Sequence, residues 1–190
     1  MMSFFKDCIR AYRHKRILKI IDIPQSGIVL DVSCSDGVFL DRLHQILPEL
    51  NLFGVDISAE EVAKAKIKFP LIGFTQGDAG RLDFESNTFD IVFSIMSLHH
   101  YKGPIQFFED VFRVLKNDGV MYLVDLVPKY RWIQKINNWM GCSEPYHFER
   151  YYSLNDLDVI LKPLRFLVTE DKRLTIFPRI RVLKIKKISS

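Results

Sequence analysis

The chain predicts an α/β fold: a mostly parallel sheet with helices on both faces and an antiparallel hairpin at its C-terminal end. Three observations carry this. Between residues 28 and 126, five short apolar runs alternate with segments of helical periodicity, the pattern of parallel strands joined by crossover helices. Two of those runs end in an acid, Asp31 and Asp56, and a small-residue turn, Ser33-Cys34-Ser35-Asp36-Gly37, follows the first. The last third then holds two strand-like segments near each other in sequence. With 190 residues, 48% apolar and 26% charged, the composition is that of a globular chain. That length suits one domain over residues 1–190, burying roughly 70% of its unfolded surface. Its expected parts are 1–23, 28–126 and 127–190.

The elements follow in order. Residues 4–22 set Phe5, Ile9, Tyr12, Ile17, Ile20 and Ile21 toward one side of a helix, with Arg10, Arg13, Lys15, Arg16 and Lys19 over much of the rest. Pro24 and Gly27 end it. Such a helix can lie on an anionic membrane or pack on a sheet with its basic residues solvated, and packing is the expectation. Ile28–Val32 reads as a strand covered on both faces. Phe39, Leu40, Leu43, Ile46 and Leu47 fall at helical spacing before Pro48. Leu52–Asp56 is a second strand. Ser58 with Glu61 three residues later is a capping-box pattern opening a helix that Pro70 closes. Ile72–Gln76 and Phe89–Ile95 are strands three and four. Pro104–Leu115 is a helix, Lys116–Gly119 a turn, and Val120–Leu126 a fifth strand. Lys129–Met140 is predicted helical and Pro145–Tyr152 a loop. Ser153 caps a short helix ended by Pro163. Segments 165–174 and 179–188 pair as the antiparallel ribbon.

Composition excludes several classes. A net charge of +4 and a pI near 8.9 are too mild to imply nucleic acid without clustering on one face. Cys8, Cys34 and Cys142 are widely spaced, with no Cys/His cluster of zinc spacing, so reduced thiols and no metal are expected. No apolar stretch reaches the 18 or more residues of a membrane span. Lys6, Asp7 and Arg10 interrupt what would be a signal peptide's apolar core. A cytoplasmic protein is the expectation, and no feature sets an oligomeric state.

The chemistry lies at the strand ends. A strand, a tight turn opening a helix, and a second strand ending in a carboxylate form a nucleotide-binding half-site, the acid being placed to accept from ribose hydroxyls. A dinucleotide fingerprint would need a small residue at Val38, so a dehydrogenase is disfavoured. The ordered set Asp31-Val-Ser33-Cys-Ser35-Asp-Gly37, Asp56, Gly77-Asp78-Ala79, Phe89 to His100 and Arg113 to Gly119 resembles the class I S-adenosylmethionine-dependent methyltransferases, in particular the small-molecule group. It covers roughly residues 28–126. Ser33 and Ser35 stand where that family usually has glycine, and a serine in the left-handed region costs about 1–2 kcal/mol. Either they keep ordinary dihedrals or cofactor affinity is reduced.

The resemblance implies a Rossmann-like seven-stranded sheet and S-adenosylmethionine as cofactor, with methyl transfer to an oxygen, nitrogen or carbon of a small molecule. It makes 28–126 the cofactor-binding core and 127–190 the substrate side. Asp31 would hold the cofactor's amino group, and the turn Ser33, Cys34, Ser35 to Gly37 its methionine part. Asp56 would accept both ribose hydroxyls, Ile57 would pack on adenine, Asp78 would accept from the adenine amino group and Ala79 offer its amide. Ser94 would lie under the cofactor. His99 and His100 follow strand four, where some relatives place a base, and His100 aligns better. A base matters only where the nucleophile loses a proton; positioning can supply much of the rest. Both histidines can equally orient the loop. Tyr146, His147, Arg150, Tyr151 and Tyr152 would form a substrate pocket or cover a core edge. The closing run Arg179, Arg181, Lys184, Lys186 and Lys187 reads as a solvated strand end. Two other readings stay open: RNA-directed methylation, prompted by the basic ends although nothing like Asn-Pro-Pro-Tyr follows strand four, and a non-catalytic binding or partner protein, prompted by the two serines.

Overall fold

A computed structural model describes residues 2–128, 150–175 and 180–188, with side chains from residue 8 onward. The predicted helix 129–140, residues 145–149 of the predicted loop and Arg179 lie outside the described residues. The order is α1 (Met2–Ile20), β1 (Gly27–Val32), α2 (Val38–Ile46), β2 (Leu50–Asp56), α3 (Ala59–Lys68), β3 (Gly73–Gln76), β4 (Phe89–Ile95), a 3-10 turn (Leu98–His100), α4 (Pro104–Val114), β5 (Leu115–Leu126), α5 (Leu154–Leu161), β6 (Phe166–Arg173) and β7 (Ile180–Lys187). Seven strands form one sheet in the order β3-β2-β1-β4-β5-β7-β6. β1 through β5 are parallel neighbours. β7 enters between β5 and β6 and runs antiparallel to both.

Strand alternation sends side chains to two cores. Val29, Ile91 and Phe93 meet Ile17 of α1, Leu40 and Leu43 of α2, and Val62 and Ala65 of α3. Leu30, Val92 and Leu123 meet Phe107, Phe108 and Val111 of α4, and Leu157 and Leu161 of α5. Phe93 stacks on Tyr122 at 5.5 Å and meets the edge of Phe39 at 5.1 Å, geometries that add about 0.5–1.5 kcal/mol each beyond area burial. Strand order reverses between β1 and β4, because β1 leads to β2 on one side while β4 lies on the other. Open α/β sheets bind ligands beyond the strand ends at such a switch point.

Two local differences from the sequence expectation have physical causes. β2 begins at Leu50 rather than Leu52 because Gly27 of β1 pairs with Leu50. β5 begins at Leu115, ahead of the predicted 116–119 turn. Phe89 pairs with Leu115 and Ile91 with Val120, so Lys116–Gly119 are accommodated as an irregularity inside the strand, held by Lys116 Nζ on Asp90 Oδ1 at 2.8 Å. The capping boxes also differ from each other. Ser153 and Asp156 cap α5 reciprocally, whereas at α3 Ser58 Oγ accepts from Glu61 N while Ser58 N donates to Asp56.

Candidate active site

Beyond the ends of β1, β2 and β4 lies a cavity of about 1220 Å³, above the roughly 300–1,000 Å³ of a usual small-molecule pocket. The turn after β1 forms one wall. Ser33, Ser35 and Gly37 have φ of 66°, 50° and 75°, so both serines adopt the left-handed conformation, at about 1–2 kcal/mol each. Neighbouring groups over-determine the turn. Ser33 N and Cys34 N donate to Val55 O at 2.7 and 3.0 Å, and Ser35 N donates to Asp56 Oδ2 at 2.7 Å. Ser33 Oγ lies 2.7 Å from the Tyr101 hydroxyl, and Ser35 Oγ donates to Glu61 at 3.2 Å. Met96, just past β4, also has positive φ, 55°. Ser33, Ser35 and Met96 all line the cavity, in keeping with the clustering of strained backbone at functional sites.

Asp31 is enclosed at 2% exposure and its Oδ1 has no hydrogen-bond partner. Burial first, then the charge of Asp56, raises its pKa well above the usual carboxylate range. Asp56 accepts Ser35 N on one oxygen and Ser58 N at 2.9 Å on the other, which fixes the carboxylate while leaving a lone pair on each oxygen. Cys34 also lines the cavity, and burial pushes its thiol pKa up, so it stays a protonated, inert thiol. Ile57, 72% exposed, and Asp78 and Ala79 complete the β2–β3 side. Asp78 Oδ1 accepts Gly80 N at 2.8 Å.

The structure therefore brings Asp31, Ser33, Cys34, Ser35, Asp56, Ile57, Asp78, Ala79 and His100 to one cavity. Gly37, Ser94 and His99 are not among its lining residues. Gly37 faces the core instead: a Cβ there would fall 2.5 Å from Phe74 Cζ. Ser94 is fully buried and reaches the lining through Ser97, Oγ to Oγ 2.9 Å. His99 is buried with Nδ1 2.7 Å from Asp125 Oδ1, and its ring stacks on Tyr151 at 5.3 Å. Exposed His100 packs at 4.0 Å between ring centroids on His99. Tyr152 belongs to the core beneath α5, and Arg150 lies over its ring. Tyr146 and His147 lie outside the described residues.

Sequence reasoning missed Arg10, Arg13 and His14 of α1, Asp36, Met96 and Tyr101, all of which line the cavity. The signal for the α1 group was their i, i+3, i+4 spacing, which sets three nitrogen-bearing side chains on one helix face. Arg10 holds Asp36 with two hydrogen bonds of 3.0 and 2.9 Å. Arg42 of α2 donates to Ala11 O at 2.8 Å. These contacts seat α1 over the turn. His14 is kept neutral: burial first, then Arg13, Arg42 and Arg10, lower its pKa to about 3. Tyr101 donates to Ser97 at 3.0 Å, and burial pushes its phenol pKa up to about 12.

Comparisons with known proteins agree with this geometry. A family model described as a methyltransferase domain matches residues 30–123. The chain is 27% identical over 148 residues to malonyl-[acyl-carrier protein] O-methyltransferase of Marinomonas sp. (strain MWYL1), covering 75% of this chain and 54% of that one. It is 31% identical over 102 residues to phthiotriol/phenolphthiotriol dimycocerosates methyltransferase 1 of Mycobacterium ulcerans, covering 53% and 38%. The chain thus spans about half the length, or less, of these curated relatives. A crystal structure of an S-adenosylmethionine-dependent methyltransferase from Aquifex aeolicus superposes with a TM-score of 0.70, at 19% identity, over 90% of this chain and 88% of the other. That last likeness concerns the fold alone. The ordered strand-end acids, the matched domain over residues 30–123 and the sheet order together make the chain similar to the class I S-adenosylmethionine-dependent methyltransferases and support that family for it.

Proposed function

We propose that the chain transfers a methyl group from S-adenosylmethionine to an oxygen, nitrogen or carbon of a small molecule. The observation that carries this reading is the unpartnered, buried Oδ1 of Asp31 on the wall of a cavity that also holds the fixed Asp56 carboxylate. An orphaned buried acceptor is costly unless a ligand satisfies it. The acceptor set fits the cofactor: Asp31 would accept from its amino group, and the free lone pairs of Asp56 from its ribose hydroxyls. Exposed Ile57 would cover the adenine, with Asp78 and Ala79 at its edge. When bound, S-adenosylmethionine supplies a methyl group on a cationic sulfur, open to in-line attack.

The protein's own residues then have three tasks. Asp31 and Asp56 orient the ligand, the kind of positioning that lowers an entropic barrier. Aromatic and aliphatic walls, Phe39, Ile95, Met96 and Phe107, keep water from the reacting atoms. His100, which lines the cavity and is exposed, is the candidate base for an acceptor that must lose a proton. His99, paired with Asp125, holds the His100 backbone in place rather than meeting the ligand.

Thermal denaturation tests the reading. S-adenosylhomocysteine at about 100 times its Kd should stabilise the fold by about 2.7 kcal/mol, a Tm rise of roughly 5–10 °C, and NAD should give none. Asp56→Ala should abolish most of the rise; an undiminished shift in that variant would refute the ribose assignment. The left-handed Ser33 and Ser35, with both hydroxyls already engaged, favour the second reading, a non-catalytic binding protein. Wild-type protein that shows no shift at any ligand concentration would favour it.

A further inference from the structure

Two strained residues stand on the cavity wall, and one side chain links the turns that carry them. Ser33, after β1, and Met96, after β4, have φ of 66° and 55°, and both line the cavity. A chain of hydroxyls joins the two places. Ser33 Oγ lies 2.7 Å from the Tyr101 hydroxyl, Tyr101 donates to Ser97 Oγ at 3.0 Å, and Ser97 Oγ lies 2.9 Å from Ser94 Oγ. Ser94 is fully buried within β4, which anchors the chain in the sheet.

The bonds of the turn divide by direction. Ser33 N and Cys34 N donate to Val55 O in β2, Ser35 N to Asp56 at the end of β2, and Ser35 Oγ to Glu61 of α3. All of these hold the turn toward β2 and α3. β4 flanks β1 on the other side, and its pairing with β1 ends at Val32 and Ser94. Past that point the Tyr101 hydroxyl ties the turn to the β4 side. The ring that carries it is placed independently: Tyr101 N donates to Leu98 O at 3.1 Å, and the ring packs on buried Phe107 of α4 at 4.7 Å between centroids. A phenylalanine at this position keeps that packing and removes the tether.

We propose that Tyr101 is a positioning residue for the cofactor: its hydroxyl keeps Ser33 left-handed, and so keeps the turn beside Asp31 in its binding shape. This rests on the methyltransferase reading above. Glycine holds a positive φ freely, whereas a serine stays there only when its surroundings hold it. The tyrosine is therefore needed because residue 33 is a serine. The two side chains do together what a glycine would do alone, and the serine turn is a clamped turn rather than a weakened one.

Isothermal titration with S-adenosylhomocysteine on wild type, Tyr101→Phe, Ser33→Gly and the double variant forms a cycle that isolates the coupling. Tyr101→Phe should weaken binding at least tenfold in the wild-type background. Added to Ser33→Gly, it should cost at most threefold relative to that variant. Ser33→Ala, which keeps Tyr101 but has no hydroxyl to tether, should bind at least tenfold more weakly than Ser33→Gly. Thermal melting of the ligand-free proteins shows which are folded; if Tyr101→Phe is not, the comparison of Ser33→Ala with Ser33→Gly decides alone. Three results would overturn the proposal: a lowered Tm for Tyr101→Phe with unchanged affinity, which leaves it a packing residue; an equal loss of affinity in both backgrounds, which assigns the hydroxyl to the ligand itself; or equal affinities of Ser33→Ala and Ser33→Gly. Wild type that binds no S-adenosylhomocysteine would defeat the methyltransferase reading and this inference together.

Discussion

At the residue scale, Asp31 sets ligand affinity against stability. Its folded pKa is raised by burial and by Asp56, so the native state holds a proton that the unfolded chain has already released. The stability this contributes is present below the unfolded value and is lost as pH rises through the folded one. Asp31→Asn should therefore melt higher than wild type at pH 7–8, with the gap closing toward pH 4, while binding S-adenosylhomocysteine at least tenfold more weakly. Parallel melting curves across that range would remove burial of charge as the cause. Wild-type affinity should also climb as pH rises through the raised value, because an ammonium ligand favours the ionised acid. Asp31 and Asp56 were readable from the sequence because each interrupts or ends an apolar run, whereas Asp78 came only through the family resemblance of Gly77-Asp78-Ala79. Arg13 and His14 were not readable, since basic residues on a helix read as solvated until the helix has a place. His99 and His100 differ by one position, and only the turn geometry tells which ring meets Asp125 and which the cavity.

At the element scale, α2 shows that a glycine in a binding turn can serve packing. Gly37 combines φ of 75° with a position against the Phe74 ring and the Ala65 methyl. Gly37→Ala has to add left-handed strain to an overpacked contact, about 2–4 kcal/mol together. Urea unfolding should report a loss of that size with an unchanged m-value; a loss under 1 kcal/mol would mean that α2 and β3 yield freely. Strand β4 was legible to the residue, because Phe89–Ile95 is buried on both faces and rich in β-branched and aromatic side chains. The start of β5 was not, because Lys116–Gly119 carry turn chemistry, and their place in the sheet depends on pairing with β4 across the fold.

At the scale of the whole molecule, β7 ties β6 to the parallel part of the sheet. Its residues Val182 and Leu183 pair with Val124 and Leu123 on one side and with Lys172 and Asp171 on the other. Leu183 is fully buried in the core beneath α4 and α5. We propose that residues 1–190 unfold as one unit. Leu183→Ala should then cost about 2–5 kcal/mol and lower a single melting transition by roughly 5–15 °C. A separate early transition, with the rest of the protein melting at the wild-type temperature, would show that the C-terminal strands are an independent addition. Alternating runs made the sheet foreseeable; the insertion of β7 between β5 and β6 was beyond any local pattern.

The hydroxyls of Ser33, Tyr101, Ser97 and Ser94 also impose an order on protons. A phenol has one hydrogen to give, and Tyr101 directs it to Ser97. Ser33 must then spend its own hydrogen on Tyr101. Toward the cavity it can offer only lone pairs, beside the open oxygen of Asp31. That stretch of wall consequently discriminates by polarity of contact, welcoming a group rich in N–H and repelling a carbonyl or an anion.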